Sequence, residues 1–179
     1  MARLAVTAFG ADQPGIVATV TGVLMERGGN LEDSAMTILG GHFAMMLMVE
    51  VRDDQEPSDL ESALAARVAA LGLTVAVRPV GPTAPASTVE GSSWSVSVHG
   101  ADRPGIVHRV TRLLAHFGAN VVDLSTRVVG EPTELAYVLF LSVTLPPSAD
   151  ADRLDEELEA LAGELGVDIH LRSDEPDIL

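Results

Sequence analysis

The sequence has no cysteine. That excludes disulfides, thiolate metal sites and a cysteine nucleophile, and it fits any redox compartment. Aromatic residues make up only 3% of the 179 positions, so any core must be built from Val, Leu, Ile, Ala and Met. Positive charge is short as well: 11 Lys and Arg stand against 26 Asp and Glu, a formal charge of -15. A field of that sign repels phosphate backbones and anionic lipid. Arg103, Arg109 and Arg112 are the nearest thing to a basic cluster, with Asp102 beside them, so direct nucleic-acid binding is not expected. No apolar run reaches the ~20 residues needed to span a bilayer. The opening Met1-Ala2-Arg3-Leu4-Ala5-Val6-Thr7 turns polar too soon for a secretory signal. The expectation is a soluble cytoplasmic protein with no membrane partner.

What the chain does have is an internal repeat. Gly10-Ala11-Asp12-Gln13-Pro14-Gly15-Ile16-Val17 returns 90 residues later as Gly100-Ala101-Asp102-Arg103-Pro104-Gly105-Ile106-Val107, with seven of eight positions identical. The same offset pairs Leu24 with Leu114, Gly28 with Gly118, Asn30 with Asn120 and Asp33 with Asp123. Further on the offset is 94, pairing Leu60 with Leu154, Leu64 with Leu158 and Gly72 with Gly166. The four extra residues fall near Gly130-Glu131-Pro132-Thr133, where a hairpin turn is expected to lengthen. Self-similarity of this kind marks a duplicated structural unit.

Each copy carries the same succession of periods. Arg3 to Phe9 and Trp94 to His99 alternate as strands. A helix follows with Ile16, Val20, Val23 and Leu24 on one face, and Ile106, Val110, Leu113 and Leu114 in the second copy. Pro14 and Pro104 suit its first turn, Asp12 and Asp102 are placed to cap it, and Gly28 and Gly118 can end it in a left-handed conformation. Two strands come next, from about Asn30 to Leu39 and Phe43 to Val51, turning at Gly40-Gly41; their counterparts run from Asn120 to Val129 and Leu135 to Leu145. A second helix spans about Ser58 to Leu71, capped by Ser58, or Ala151 to Leu165. A last strand, Thr74 to Val80 or Asp168 to Arg172, closes each unit. The order βαββαβ gives an α+β, ferredoxin-like unit: a four-stranded antiparallel sheet with both helices on one face. The other face is left for a partner or for solvent. The expected organisation is a first unit over 1–80, a linker over 81–91, a second unit over 92–173 and an acidic tail over 174–179.

The loop Gly-Ala-Asp-x-Pro-Gly-Ile-Val has two readings. It places glycine and backbone amides at a helix start, where a carboxylate is stabilised. Equally, Asp, Pro and Gly can simply cap a helix and turn the chain, and duplication copies capping as faithfully as binding. Asn30 and Asn120 add a donor and an acceptor at the head of the next strand. The histidines carry little: His108 and His116 share a helix but lie more than two turns apart, and no metal-ligand spacing occurs. The Met45-Met46-Leu47-Met48 run suits an adaptable core, and the charges of Asp152 to Glu164 suit the solvated face of a helix. There is no serine nucleophile elbow, phosphate-cradling glycine loop or carboxylate pair in a cleft, so neither catalytic residues, a metal nor a cofactor is expected.

With these motifs in place, Gly-x-Asp-x-Pro-Gly-Ile-Val at the first strand–helix junction and Gly-x-Asn after the helix resemble the ACT domain family, in both copies. The tandem pair without an attached enzyme looks like the glycine cleavage system transcriptional repressor group, and is also similar to the regulatory half of some phosphoserine phosphatases. The resemblance implies a non-enzymatic, amino-acid-binding regulator whose ligand, with glycine or serine favoured, sits between ACT units. There the strand–helix loop of one unit faces the early second strand of another. Carried over residue by residue, the ligand-binding positions are Asp12, Pro14, Gly15, Ile16, Val17 and Asn30 in the first copy. In the second they are Asp102, Pro104, Gly105, Ile106, Val107 and Asn120. Gln13 against Arg103 is the one difference in the motif, so the two sites need not have equal affinity or the same ligand. The expected partners are a small amino acid, a second copy in a homodimer, and a protein, either a transcription factor or a metabolic enzyme. Two other readings stay open: a detached regulatory subunit of a metabolic enzyme, and a structural oligomerisation module without ligand.

Overall fold

The computed structural model describes residues 1–81, 91–131 and 134–174. Two compact units divide the chain, Met1–Ala84 and Pro85–Leu179. Most of the expected linker and all but the first residue of the expected tail lie outside the described residues. The first unit runs β1 (Ala2–Ala11), α1 (Ile16–Glu26), β2 (Asn30–Leu39), β3 (His42–Val51), α2 (Pro57–Val68) with a 3-10 turn over Ala69–Leu71, and β4 (Thr74–Val80). The second repeats it as β5 (Ser92–Gly100), α3 (Ile106–His116), β6 (Asn120–Glu131), β7 (Glu134–Leu145), α4 (Ala151–Leu165) and β8 (Val167–Ser173). Each sheet is antiparallel, in the order β2-β3-β1-β4 and β6-β7-β5-β8. The expected ferredoxin-like βαββαβ architecture is thus present twice.

The period-two alternation decides which face packs. Leu4, Val6 and Ala8 of β1 and Phe43, Met45, Leu47, Val49 and Val51 of β3 are buried against Ile16, Val20, Val23 and Leu24 of α1 and Leu60, Leu64 and Val68 of α2. The second core repeats this with Val96 and Val98 of β5, Leu139, Leu141, Val143 and Leu145 of β7, and Ile106, Val110 and Leu114 of α3, while Leu113 is only half-buried. No polar or charged residue is buried among the described residues, so the acidic residues of α4 are solvated, as expected. The methionine run divides by parity. Met45 lies in the core, but Met46 is 53% exposed on the face that the helices leave open, because successive side chains of a strand point to opposite faces.

Several local expectations change. Helix α1 begins at Ile16 and α3 at Ile106, so Pro14 and Pro104 stand in the preceding turn rather than the first helical turn. Gly15 and Gly105, both at φ 93, occupy the N-cap position without a side-chain cap; Asp12 and Asp102 lie too far upstream to serve. Helix α2 likewise starts with Pro57 after Glu56, and Ser58, already inside the helix, does not cap it. The helix ends behave as expected. Gly28 donates to Met25 O (3.0 Å) and Gly29 to Leu24 O (2.8 Å), with Gly28 at φ 71, and Gly118 and Ala119 repeat the pattern on Ala115 and Leu114. This is the Schellman arrangement, which satisfies carbonyls left over at a helix end. The four extra residues of the second copy lengthen strands rather than a turn: β6 and β7 have 12 residues each where β2 and β3 have 10. Pro132 and Thr133, between them, lie outside the described residues.

Candidate functional site

The repeated loop is held in both copies, and in the first from two sides. Strand β1 ends at Ala11 opposite His42, and the Asp12 amide donates to Gly41 O at 2.9 Å, tying the loop to the β2–β3 turn. On the other side the loop clamps the end of the second helix. Gln13 Nε2 donates to Leu71 O at 2.6 Å, and Arg103 Nη1 donates to Leu165 O at 2.9 Å. The one substitution inside the motif therefore keeps one structural job, capping a carbonyl left over where a helix ends. Gly10 and Gly100 let the same approach happen: a Cβ on Gly10 would lie 2.6 Å from Leu73 Cδ2 and 2.9 Å from Gly72 O, and one on Gly100 would lie 2.7 Å from Val167 Cγ1.

Held this way, each loop presents the uncapped start of a helix. Asp12, Pro14, Gly15 and Val17 are exposed, as are Asp102, Pro104 and Gly105, with Val107 half-buried. Ile16 and Ile106 are core residues, 2% and 1% exposed; only their backbone faces the loop. A Cβ on Gly15 or Gly105 would meet nothing within 4 Å, so the space over the helix start is open. Free amides and the helix dipole there favour a carboxylate.

Asn30 is exposed but stands elsewhere in its unit. It pairs with Glu50 at one end of β3, whereas the loop adjoins His42 at the other end. Eight residues of strand separate these ends, about 26 Å at ~3.3 Å per residue. Asn120, opposite Thr144, begins β6 in the same manner. A single unit therefore does not bring its asparagine to its own loop.

The strands that carry these asparagines are sheet edges. All ten residues of β2 are exposed, including Leu31, Met36, Ile38 and Leu39. On β6, Val122, Leu124, Val128 and Val129 are exposed. A long edge strand with apolar side chains offers unpaired amides and carbonyls to another strand.

One residue near the loop escaped the sequence reading. Tyr137 sits opposite Gly100, where Phe43 sits opposite Gly10 in the first unit. It is 9% exposed. Burial raises its hydroxyl above the ordinary value, and the nearby Asp102 carboxylate adds to the effect. Because it is the only tyrosine, an alkaline absorbance titration reads this group alone. The midpoint should lie above the ordinary ~10, and Asp102→Asn should lower it only in part, burial being the larger cause. The fold favours the neutral phenol, so the associated stability is present below pH ~10 and is lost as pH rises through the folded value. Titration at the free-tyrosine value would contradict this placement.

Among the described residues no group of three or more His, Asp or Glu could hold a metal, and no helix is long and apolar enough to cross a membrane.

Comparison with known proteins agrees with this architecture. The ACT domain family model matches residues 2–78 and 95–172. The glycine cleavage system transcriptional repressor of Escherichia coli (strain K12) is 32% identical over 164 residues, covering 90% of this chain and 85% of that protein. The crystal structure of an unknown protein from Galdieria sulphuraria aligns with a TM-score of 0.79 at 28% identity, covering 97% of this chain and 99% of that one. A bifunctional uridylyltransferase/uridylyl-removing enzyme of Bordetella avium (strain 197N) is 34% identical over 89 residues, 49% of this chain but 10% of that enzyme. The two matched segments fall on the two βαββαβ units, and the chain belongs to the ACT domain family, as a tandem pair of ACT units.

Proposed function

We propose that the protein is a non-enzymatic regulator that binds a small amino acid between ACT units and passes the signal to a protein partner. The observation that carries this reading is the separation of the loop from the asparagine within one unit. An antiparallel pairing of two edge strands would remove it: the head of one strand, bearing Asn30 or Asn120, would then lie by the tail of the other. The tail of β2 is where its own unit keeps the loop, since Leu39 pairs with His42. Backbone amides would take the ligand carboxylate, and the asparagine, with its side-chain carbonyl, the ammonium group. A pocket of glycine and backbone favours glycine or serine.

Ligand bridging two units would stabilise one association geometry and so change the surface offered to a partner. A coupling of ~1–3 kcal/mol is the usual size for such a switch. The relative in Escherichia coli supports transcriptional control of amino-acid metabolism as the setting, and the charge of -15 argues that any such effect passes through a protein rather than by direct contact with DNA. The uridylyltransferase relative, in which the matched segment is a tenth of an enzyme, favours a second reading, a regulatory subunit that docks on a metabolic enzyme. Calorimetric titration with glycine and with serine tests the ligand, and a gel-shift of the pure protein tests the route. Saturable binding together with no DNA shift supports the proposal. Tight DNA binding by the pure chain would contradict its second half.

A further inference from the structure

The two repeated loops sit over different side chains. Phe43 in the first unit and Tyr137 in the second each register with the last glycine before the loop, Gly10 and Gly100. Both rings lie on the helix-covered face, in the cores that hold Ile16 and Ile106, the first residues of α1 and α3. Phe43, 2% exposed, brings no polar atom there; Tyr137, 9% exposed, brings one hydroxyl. Among the described residues that hydroxyl has no hydrogen-bond partner. It is not wholly sealed from water, since no fully buried side-chain oxygen is left unsatisfied. A phenol buried to this degree ordinarily has a partner. The missing one belongs on the loop side, where the Asp102 carboxylate is close enough to act on the hydroxyl. The first loop has no such group beneath it. His42, next to Phe43, falls on the opposite face of the sheet. There its ring stacks on Phe9, and its Nδ1 stands 3.2 Å from Gly40 O.

Building on the amino-acid site proposed above, we infer that Tyr137 is a specificity-determining residue and makes the second loop a serine site, while the first loop, over Phe43, takes glycine and serine alike. The free amides at the start of α3 take the ligand carboxylate. The phenol, a donor and an acceptor in one group, is then left for the ligand side chain. Serine offers a hydroxyl to match it, and glycine offers nothing. Bound glycine would cut the phenol off from water and leave it unpartnered, which costs more than a hydrogen bond gains. That asymmetry is how a site built around one hydroxyl rejects a ligand that lacks it. Alanine, which differs from serine by that oxygen alone, should therefore be rejected as glycine is.

Calorimetry of the full chain carrying Gly15→Asp reads the second loop alone. Serine should bind there roughly 10-fold more tightly than glycine or alanine, and Tyr137→Phe should abolish the difference by weakening serine. That variant should keep its circular dichroism, because phenylalanine is what the first unit holds at the same register. In the Gly105→Asp chain, which reads the first loop, serine and glycine should bind alike. Tyr137 is the only tyrosine, so its near-ultraviolet band should shift when serine is added and stay in place with alanine. A tyrosine with a merely structural role would not make that distinction. Equal affinity for serine and alanine at the second loop overturns the inference. So does a serine preference that survives Tyr137→Phe, or a Tyr137→Phe variant that weakens serine, glycine and alanine equally. These outcomes leave the amino-acid site standing. No heat with any amino acid in the wild type removes the site itself, and this inference with it.

Discussion

Gly15→Asp and Gly105→Asp should each remove amino-acid binding at the altered loop while leaving the fold in place. Both glycines sit at φ 93 and at the N-cap of a helix without a side-chain cap. A side chain there points into open space, so the cost is the left-handed conformation, ~1–2 kcal/mol. Aspartate at an N-cap position recovers part of it by accepting from the helix amides. That same contact is what excludes the ligand, since the new carboxylate occupies and neutralises the donors a bound amino acid would use. Calorimetry should show no heat of binding at the altered site, with circular dichroism unchanged. Gly15→Ala separates strain from charge, because alanine adds strain but no competing carboxylate. Unchanged binding in both aspartate variants would remove the loops from the site.

The second large effect concerns the fold beneath the loop. Gly100→Val should destabilise the second unit by roughly 3 kcal/mol, at the upper end of the usual range for overpacking. A Cβ at position 100 lies 2.7 Å from Val167 Cγ1 and 3.1 Å from Val167 Cα, so the backbone of β8 has to move, and rotating one side chain is not enough. Gly10→Val should act alike in the first unit, where Gly72 O stands 2.9 Å from the new atom. Thermal unfolding followed by circular dichroism should show a fall on the order of 10 °C. A midpoint within about 2 °C of wild type would show that the sheet accommodates the change and that the packing described is looser than the distances state.

Strands and helices were legible because their periods are clean. The alternation of β1 and β3 and the spacing Ile16, Val20, Val23, Leu24 each bury what the pattern said they would. The repeat did the rest, since a motif returning at a fixed offset dictates two similar units. Helix starts were less legible. Pro and Asp are generic signals of a beginning, and the position of Gly15 as the N-cap depends on a backbone torsion that composition does not encode. The clamp made by Gln13 and Arg103 was invisible for another reason: it joins residues 58 and 62 positions apart, and the two side chains look chemically unrelated until both are seen on a helix-end carbonyl. The distance between the loop and Asn30 was equally hidden, because adjacency in sequence says nothing of which end of a sheet a strand begins at. Met46 shows the limit of composition: a methionine run reads as core, yet parity places alternate members on the open face.

The central claim is that the folded chain binds a small amino acid. A thermal-shift screen of the pure protein against the twenty amino acids tests it most directly. A ligand that binds only the folded state, present at a hundred times its dissociation constant, adds roughly 2.7 kcal/mol. The account predicts a selective upward shift with glycine or serine that is reduced in the Gly15→Asp and Gly105→Asp variants. No shift with any of the twenty would contradict it and leave a tandem ACT protein that acts through protein contacts alone.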